Sequence, residues 1–197
     1  MATIRALLLL TAVSSKVFAI EAPISNYGVE PLSWNIHLDP RDNPITLNGT
    51  IEQVISEAKK LNPRWGQDLE KRNPLPDDDA PWRDNTWVSS VVCTNSGVWK
   101  PAKADRIQEG IDYLSKISAK LTLGPGPGKC SRVSCSYKSA IWWCNNRTKE
   151  LRLNSFDPII SAARAILKDC NKQGTVCGQA DMPPEWQVIV RQDMDNC

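Results

Sequence analysis

The placement of the cysteines constrains this chain more than any other feature. Cys93, Cys130, Cys135, Cys144, Cys170, Cys177 and Cys197 all lie in the C-terminal half. Zinc sites favour close Cys-x-x-Cys pairs and histidines. Here the shortest spacing is Cys130 to Cys135, and the only histidine, His37, lies far upstream. The pattern therefore predicts a disulfide framework, with no metal and no cofactor. Disulfides persist in oxidising compartments and matter most to domains with small cores. The expected address is extracellular.

The N-terminal residues agree. Arg5 precedes the apolar run Ala6 to Val13, and Val17-Phe18-Ala19 puts small residues three and one before a cut. This describes a signal peptide over 1–19, cleaved after Ala19. A bilayer span needs about 20 apolar residues, and Ser14, Ser15 and Lys16 end this run too early. An integral membrane protein is not expected.

Composition divides the remainder into two territories. Residues 20–86 contain no cysteine and eight prolines, from Pro23 to Pro81. Such a stretch is expected to build little core and reads as a pro-region or linker. One helix is predicted within it, at about 50–61. Thr50 and Gln53 have capping-box spacing, and Ile51, Val54, Ile55, Ala58 and Leu61 share one face. Asn62-Pro63 stops it. Lys71-Arg72, the only Lys-Arg in the chain, follows. It has the form of a substrate for fungal dibasic processing proteases. Cleavage there predicts a mature chain of about 125 residues, a usual size for one domain.

Residues 87–197 read as alternating strands and helices. Trp87 to Cys93 is β-branched and aromatic, as a strand requires. Pro101 opens a helix whose stripe is Ile107, Ile111, Leu114, Ile117 and Leu121. Gly124-Pro125-Gly126-Pro127-Gly128 ends it as a turn. Cys130 to Asn146, CSRVSCSYKSAIWWCNN, reads as a hairpin or one bent strand. Tyr137-Lys138-Ser139 lacks the Asn-Gly or Asp-Gly of tight hairpin turns. Ser155, Asp157 and Pro158 start a second helix that buries Ile159, Ile160, Ala163, Ile166, Leu167 and Cys170. Trp186, Val188 and Val190 alternate through a last strand. This order predicts an α+β sandwich: a small antiparallel sheet with two helices on one face.

Seven cysteines with one unpaired allow 105 pairings. Layout suggests Cys93–Cys170, Cys144–Cys197 and Cys130–Cys135, with Cys177 free or joined to a second molecule. Cys177 is also an alternative partner for Cys93.

The block CSRVSCSYKSAIWWCNN, the helix ending at Cys170, Val176-Cys177-Gly178-Gln179, then WQVIV and Cys197 resemble a family of secreted fungal proteins. That family is similar in layout to the killer toxin of smut fungi and to necrosis-inducing effectors. The resemblance spans Val88 to Cys197. It implies a secreted toxin or effector with no catalytic step, acting on ion channels of rival cells, on plant hosts or on fungal competitors. It assigns no individual functional residue. The family pairs all its cysteines, and the seventh one here departs from that pattern.

The residue chemistry points the same way. With His37 in the proline-rich territory, a chain processed after Arg72 lacks the histidine of a Ser-His-Asp or Cys-His mechanism. Asp105, Glu109 and Asp112 share a helical face, as paired glycosidase carboxylates do, but that face is the solvated one. Trp142 and Trp143 are neighbours in a strand and point to opposite faces. One is expected in the core and the other either exposed, as an anchor for protein or sugar, or covered by a helix. Between Lys116 and Lys172, eleven basic residues oppose Glu150, Asp157 and Asp169, a local charge of +8 against +2 for the whole chain. Lys138, Arg132 and Arg147 are the candidate binding cations there. The expected partner is an extracellular target: a membrane protein, a channel or a cell-wall polymer, the last through a carbohydrate-binding surface. Nucleic acid is not expected.

Asn48-Gly49-Thr50 and Asn146-Arg147-Thr148 are acceptor sequons in a secreted chain. Glycosidase treatment of the secreted protein should lower its mass, and Asn146→Gln should remove one glycan from that shift. An unchanged mass would show both sites empty.

Overall fold

The computed structural model describes residues 20–39, 41–65, 87–94, 97–117, 119–193 and 197. The signal-peptide cut after Ala19 and the dibasic pair Lys71-Arg72 lie outside them.

The fold is mixed α and β. Among the described residues the strands are β1 (Gly28–Val29), β2 (Ser33–Ile36), β3 (Ile45–Asn48), β4 (Ser90–Cys93), β5 (Ala102–Lys103), β6 (Leu121–Leu123), β7 (Lys129–Ser136), β8 (Ser139–Asn145), β9 (Leu151–Leu153), β10 (Thr175–Val176), β11 (Gly178–Met182) and β12 (Trp186–Gln192). The helices are α1 (Ile51–Leu61), α2 (Ala104–Ser115) and α3 (Asp157–Cys170). Six strands form the main sheet in the order β1-β7-β8-β12-β11-β4. Its pairs are antiparallel except β1 with β7. The sheet is thus larger than the small one expected, and among the described residues three helices pack against it rather than two.

Alternation assigns the side chains of the two central strands. Ile141, Trp143, Trp186, Val188 and Val190 enter the main core beneath the helices. Ala140, Trp142, Cys144 and Ile189 enter a second, smaller core on the opposite face. Adjacent Trp142 and Trp143 are both 0% exposed, each in a different core. Gly110 lets α2 approach β7, since a Cβ there would lie 2.3 Å from Ser134 Oγ.

Two expectations about local structure need correction. The apolar spacing predicts a stripe that runs on to Leu121, yet the helix ends at Ser115. Leu121 and Leu123 are instead buried by β pairing with Leu153 and Leu151. The proline-rich territory also contributes to the core. Leu32, Trp34, Ile36, Ile51, Val54 and Ala58 are buried in the same cluster as Trp143 and Ile166. Pro23, Pro31, Pro44 and Pro63 fall between the elements, and β2 keeps strict exposed–buried alternation. Trp34 stacks on Phe156 with centroids 4.9 Å apart and donates from Nε1 to Gly49 O at 2.8 Å. The predicted box forms at α1: Thr50 N–H donates to Gln53 Oε1 at 2.9 Å.

The disulfides correct the expected pairing. Cys93 joins Cys170, but Cys130 joins Cys144 and Cys135 joins Cys197. Cys130 and Cys135 sit five residues apart on one strand, roughly 16 Å at 3.3 Å per residue, too far for a bridge. Cys144 lies directly across the ladder from Cys130, with Cα atoms 4.1 Å apart, and is therefore unavailable to Cys197. From the chain-entropy relation, the 14-residue closure is worth about 3 kcal/mol and the 77- and 62-residue closures about 4 to 5 kcal/mol each. Peptide mapping should recover these three pairs. Replacing both Cys93 and Cys170 with alanine should cost more stability by denaturant titration than replacing Cys130 and Cys144. The reverse order would contradict the framework.

Candidate functional site

The β7–β8 hairpin turns on two residues. Ser136 pairs with Ser139, leaving Tyr137 and Lys138 as the whole loop. Their φ angles are 46° and 61°. Positive φ at both positions is the primed turn that suits the twist of a hairpin, and it favours Asn-Gly. A side chain in the left-handed region costs about 1–2 kcal/mol per residue. Tyrosine and lysine are poor choices for the turn itself.

The surroundings hold that conformation. The Cys130–Cys144 bridge crosses the hairpin, and Cys135, two residues before the turn, is tied to Cys197. Lys138 N–H donates to Cys197 O at 3.3 Å, and its carbonyl accepts from Asp193 N–H at 3.0 Å. Lys103 N–H donates to Ser139 Oγ at 3.1 Å. The tip is therefore fixed from three sides.

It also presents the most exposed aromatic side chain among the described residues. Tyr137 is 66% exposed, and the Arg106 guanidinium of α2 sits 4.5 Å from its ring centroid. Arg106 donates to Glu109 at 2.9 Å. That bond, and then the charges of Asp105 and Glu109, push its pKa up against desolvation, so it stays a cation. A cleft of about 360 Å³ opens beside the turn, between Pro101, Lys103 and Gln192. Strained non-glycine backbone that is held in place and carries an exposed aromatic–cation pair is a feature functional sites concentrate.

Of the cations singled out from the sequence, only Lys138 is at this tip. Arg132 is buried, ion-paired to Asp193 at 3.3 Å, and lies with Arg191 against the Trp142 ring. Arg147 follows the far end of β8, about 20 Å away at strand spacing, with its N–H on Asn145 Oδ1. The local +8 thus does not gather these three cations into one surface. The burial of Trp142 and Trp143 removes the exposed tryptophan on which carbohydrate binding depended. The carboxylates of α2 are engaged on its surface, Glu109 with Arg106 and Asp112 with Gln108. Among the described residues, no three His, Cys, Asp or Glu side chains group as a metal site. Sequence reasoning missed Tyr137 and Arg106. The signal was the absent Asn-Gly in a segment that nevertheless turns.

Comparison with known protein families, curated proteins and solved structures finds no match.

Cys177 is the free cysteine among the described residues, and it is buried, with Thr94 Oγ1 3.1 Å from its sulfur. Burial therefore argues against a bond to a second molecule in the native state. Desolvation pushes its thiol pKa up, while the Thr94 hydrogen bond and the Arg191 charge pull it back. A raised thiol favours the native state below the ordinary thiol range and loses that contribution as pH rises through the folded value. Iodoacetamide at neutral pH should label Cys177 only after unfolding. Stability should also fall at alkaline pH more steeply than in Cys177→Ser. Rapid labelling of the native protein would contradict both.

Proposed function

We propose that this is a secreted toxin or effector that binds a target on another cell, without catalysis, through the Tyr137-Lys138 tip. The observation that carries this reading is the turn itself: two residues poorly suited to left-handed backbone, locked there, with the aromatic ring left in solvent. Three disulfides and the absence, among the described residues, of a helix long and apolar enough to cross a membrane accord with an extracellular protein. The apolar run Ala6 to Val13, with Val17 and Ala19 before a cut, supports export. The tip resembles an interface hot spot in composition, with tyrosine and arginine at its centre.

Replacing Tyr137-Lys138 by Asn-Gly separates function from stability. The double variant should be more stable by about 1 kcal/mol, because Asn-Gly suits the primed turn. Growth inhibition of fungal cells, or necrosis after leaf infiltration, should be lost in whichever assay the natural chain scores. Retained potency in the stabilised variant would refute the tip as the binding element. Retention of the natural chain on chitin or glucan would favour a cell-wall carbohydrate target instead.

A further inference from the structure

We propose that residues 20–65 are a permanent, non-covalently held part of the fold, so that cleavage after Arg72 yields a two-chain protein and releases no leader. This does not depend on the function proposed for the hairpin tip. Lys71-Arg72 enters only through its sequence; the contacts that retain the fragment all lie among described residues.

The N-terminal segment grips both faces of the main sheet. On the second face, Ile20, Ala22, Ile24, Tyr27 and Val29 pack on the core of Trp142 and Ile189. Polar ties pin that strap. Trp99 Nε1 donates to Pro23 O at 2.6 Å, Arg191 Nη2 to Glu21 O at 3.1 Å, and the Tyr27 hydroxyl to Asn146 Oδ1 at 3.0 Å. At the sheet edge, β1 extends β7 in parallel, with Glu30 N–H on Cys130 O at 2.8 Å.

The chain then passes to the helix face. There Trp34 stacks on Phe156, and Ile51, Val54 and Ala58 of α1 are fully buried. The Glu52 carboxylate accepts from Cys135 N–H at 2.9 Å and from the Ser134 hydroxyl. Release of 20–65 would expose both cores at once and strip an edge strand. The segment completes three surfaces, the two faces of the sheet and its edge.

None of this is covalent. Every cysteine lies at 93 or beyond, so no disulfide ties the segment to the remainder. A cut in the connection would leave association to packing and hydrogen bonds alone, and the fragments would separate in denaturant without reductant.

The test uses the purified full chain, treated with a dibasic-specific endoprotease, with the new N-terminus fixed at Asn73 by mass spectrometry. Both fragments should co-elute on native size exclusion at the mass of the uncut chain, then separate in denaturant alone. Trp34→Ala should raise the dissociation constant of the cut protein by ~100-fold, read by dilution. If the chain resists cutting at that pair, a site-specific protease sequence in place of Leu69–Asn73 supplies the cut and is read in the same way. Elution of a folded 73–197 fragment without its partner would overturn the proposal. So would aggregation of the cut protein.

Discussion

The bulge in β7, between Arg132 and Ser134, turns one extra residue out of register in the central hairpin. Bulges interrupt ladder hydrogen bonds and leave backbone groups to be satisfied elsewhere. Here the amide of Cys135 finds the Glu52 carboxylate of α1, which also receives the Ser134 hydroxyl. The position of α1 is set in turn by its capping box and by Trp34 in the preceding hairpin. Leu32, Trp34, Ile36, Ile51 and Val54 would each lose about 1.5–3 kcal/mol if exposed, or roughly 8–15 kcal/mol together as an upper range. That is comparable to the net stability of a whole domain. A segment without a single cysteine therefore supports the cysteine-rich one.

The two faces of the sheet solve the same problem differently. The helix face buries a continuous set of large apolar side chains. The other face has few: Ala140, Trp142 and Ile189, with half-buried residues of the strap around them. Cys130, Cys135 and Cys144 belong to this thin core, and two of the three bridges pass through it. Cross-linking supplies there what apolar area does not. The Arg132–Asp193 pair borders the same core at 5% and 3% side-chain exposure. A pair so buried adds little net stability, and Arg191 shares the same carboxylate at 3.6 Å. It fixes how the chain leaving β12 lies against the hairpin.

Much of this was legible in the sequence because it is local. The Thr50–Gln53 cap, the stripe of α3 and the alternation of β12 each follow from residues within a few positions. The bridge from Cys93 to Cys170 follows from packing a helix on a strand. The other two pairs were not legible, because they depend on the hairpin register and its bulge, which put Cys130 opposite Cys144. Prolines between 20 and 65 hid the core role of Trp34, since composition averages the loops with the strands between them. At the site, Lys138 was visible as one cation among many, whereas Tyr137 and Arg106 meet only once α2 lies across the hairpin end.

The turn brings these levels together. A hairpin closed by Tyr-Lys is held shut by two bridges, by the carbonyl of Cys197 and by the amide of Asp193. Each of those would be less necessary with Asn-Gly at the tip, because that pair takes the primed turn without steric cost. Two substitutions would relieve the strain. Local strain persists where surrounding structure over-determines it, and it concentrates where a side chain must be presented in one orientation. A rigid tyrosine loses little conformational freedom on meeting a partner, so immobilising it in advance lowers the entropic cost of binding. The disulfides of the thin face thus act on the fold and on the tip together: they stabilise the second core, and they hold an aromatic ring in solvent against the preference of its own backbone.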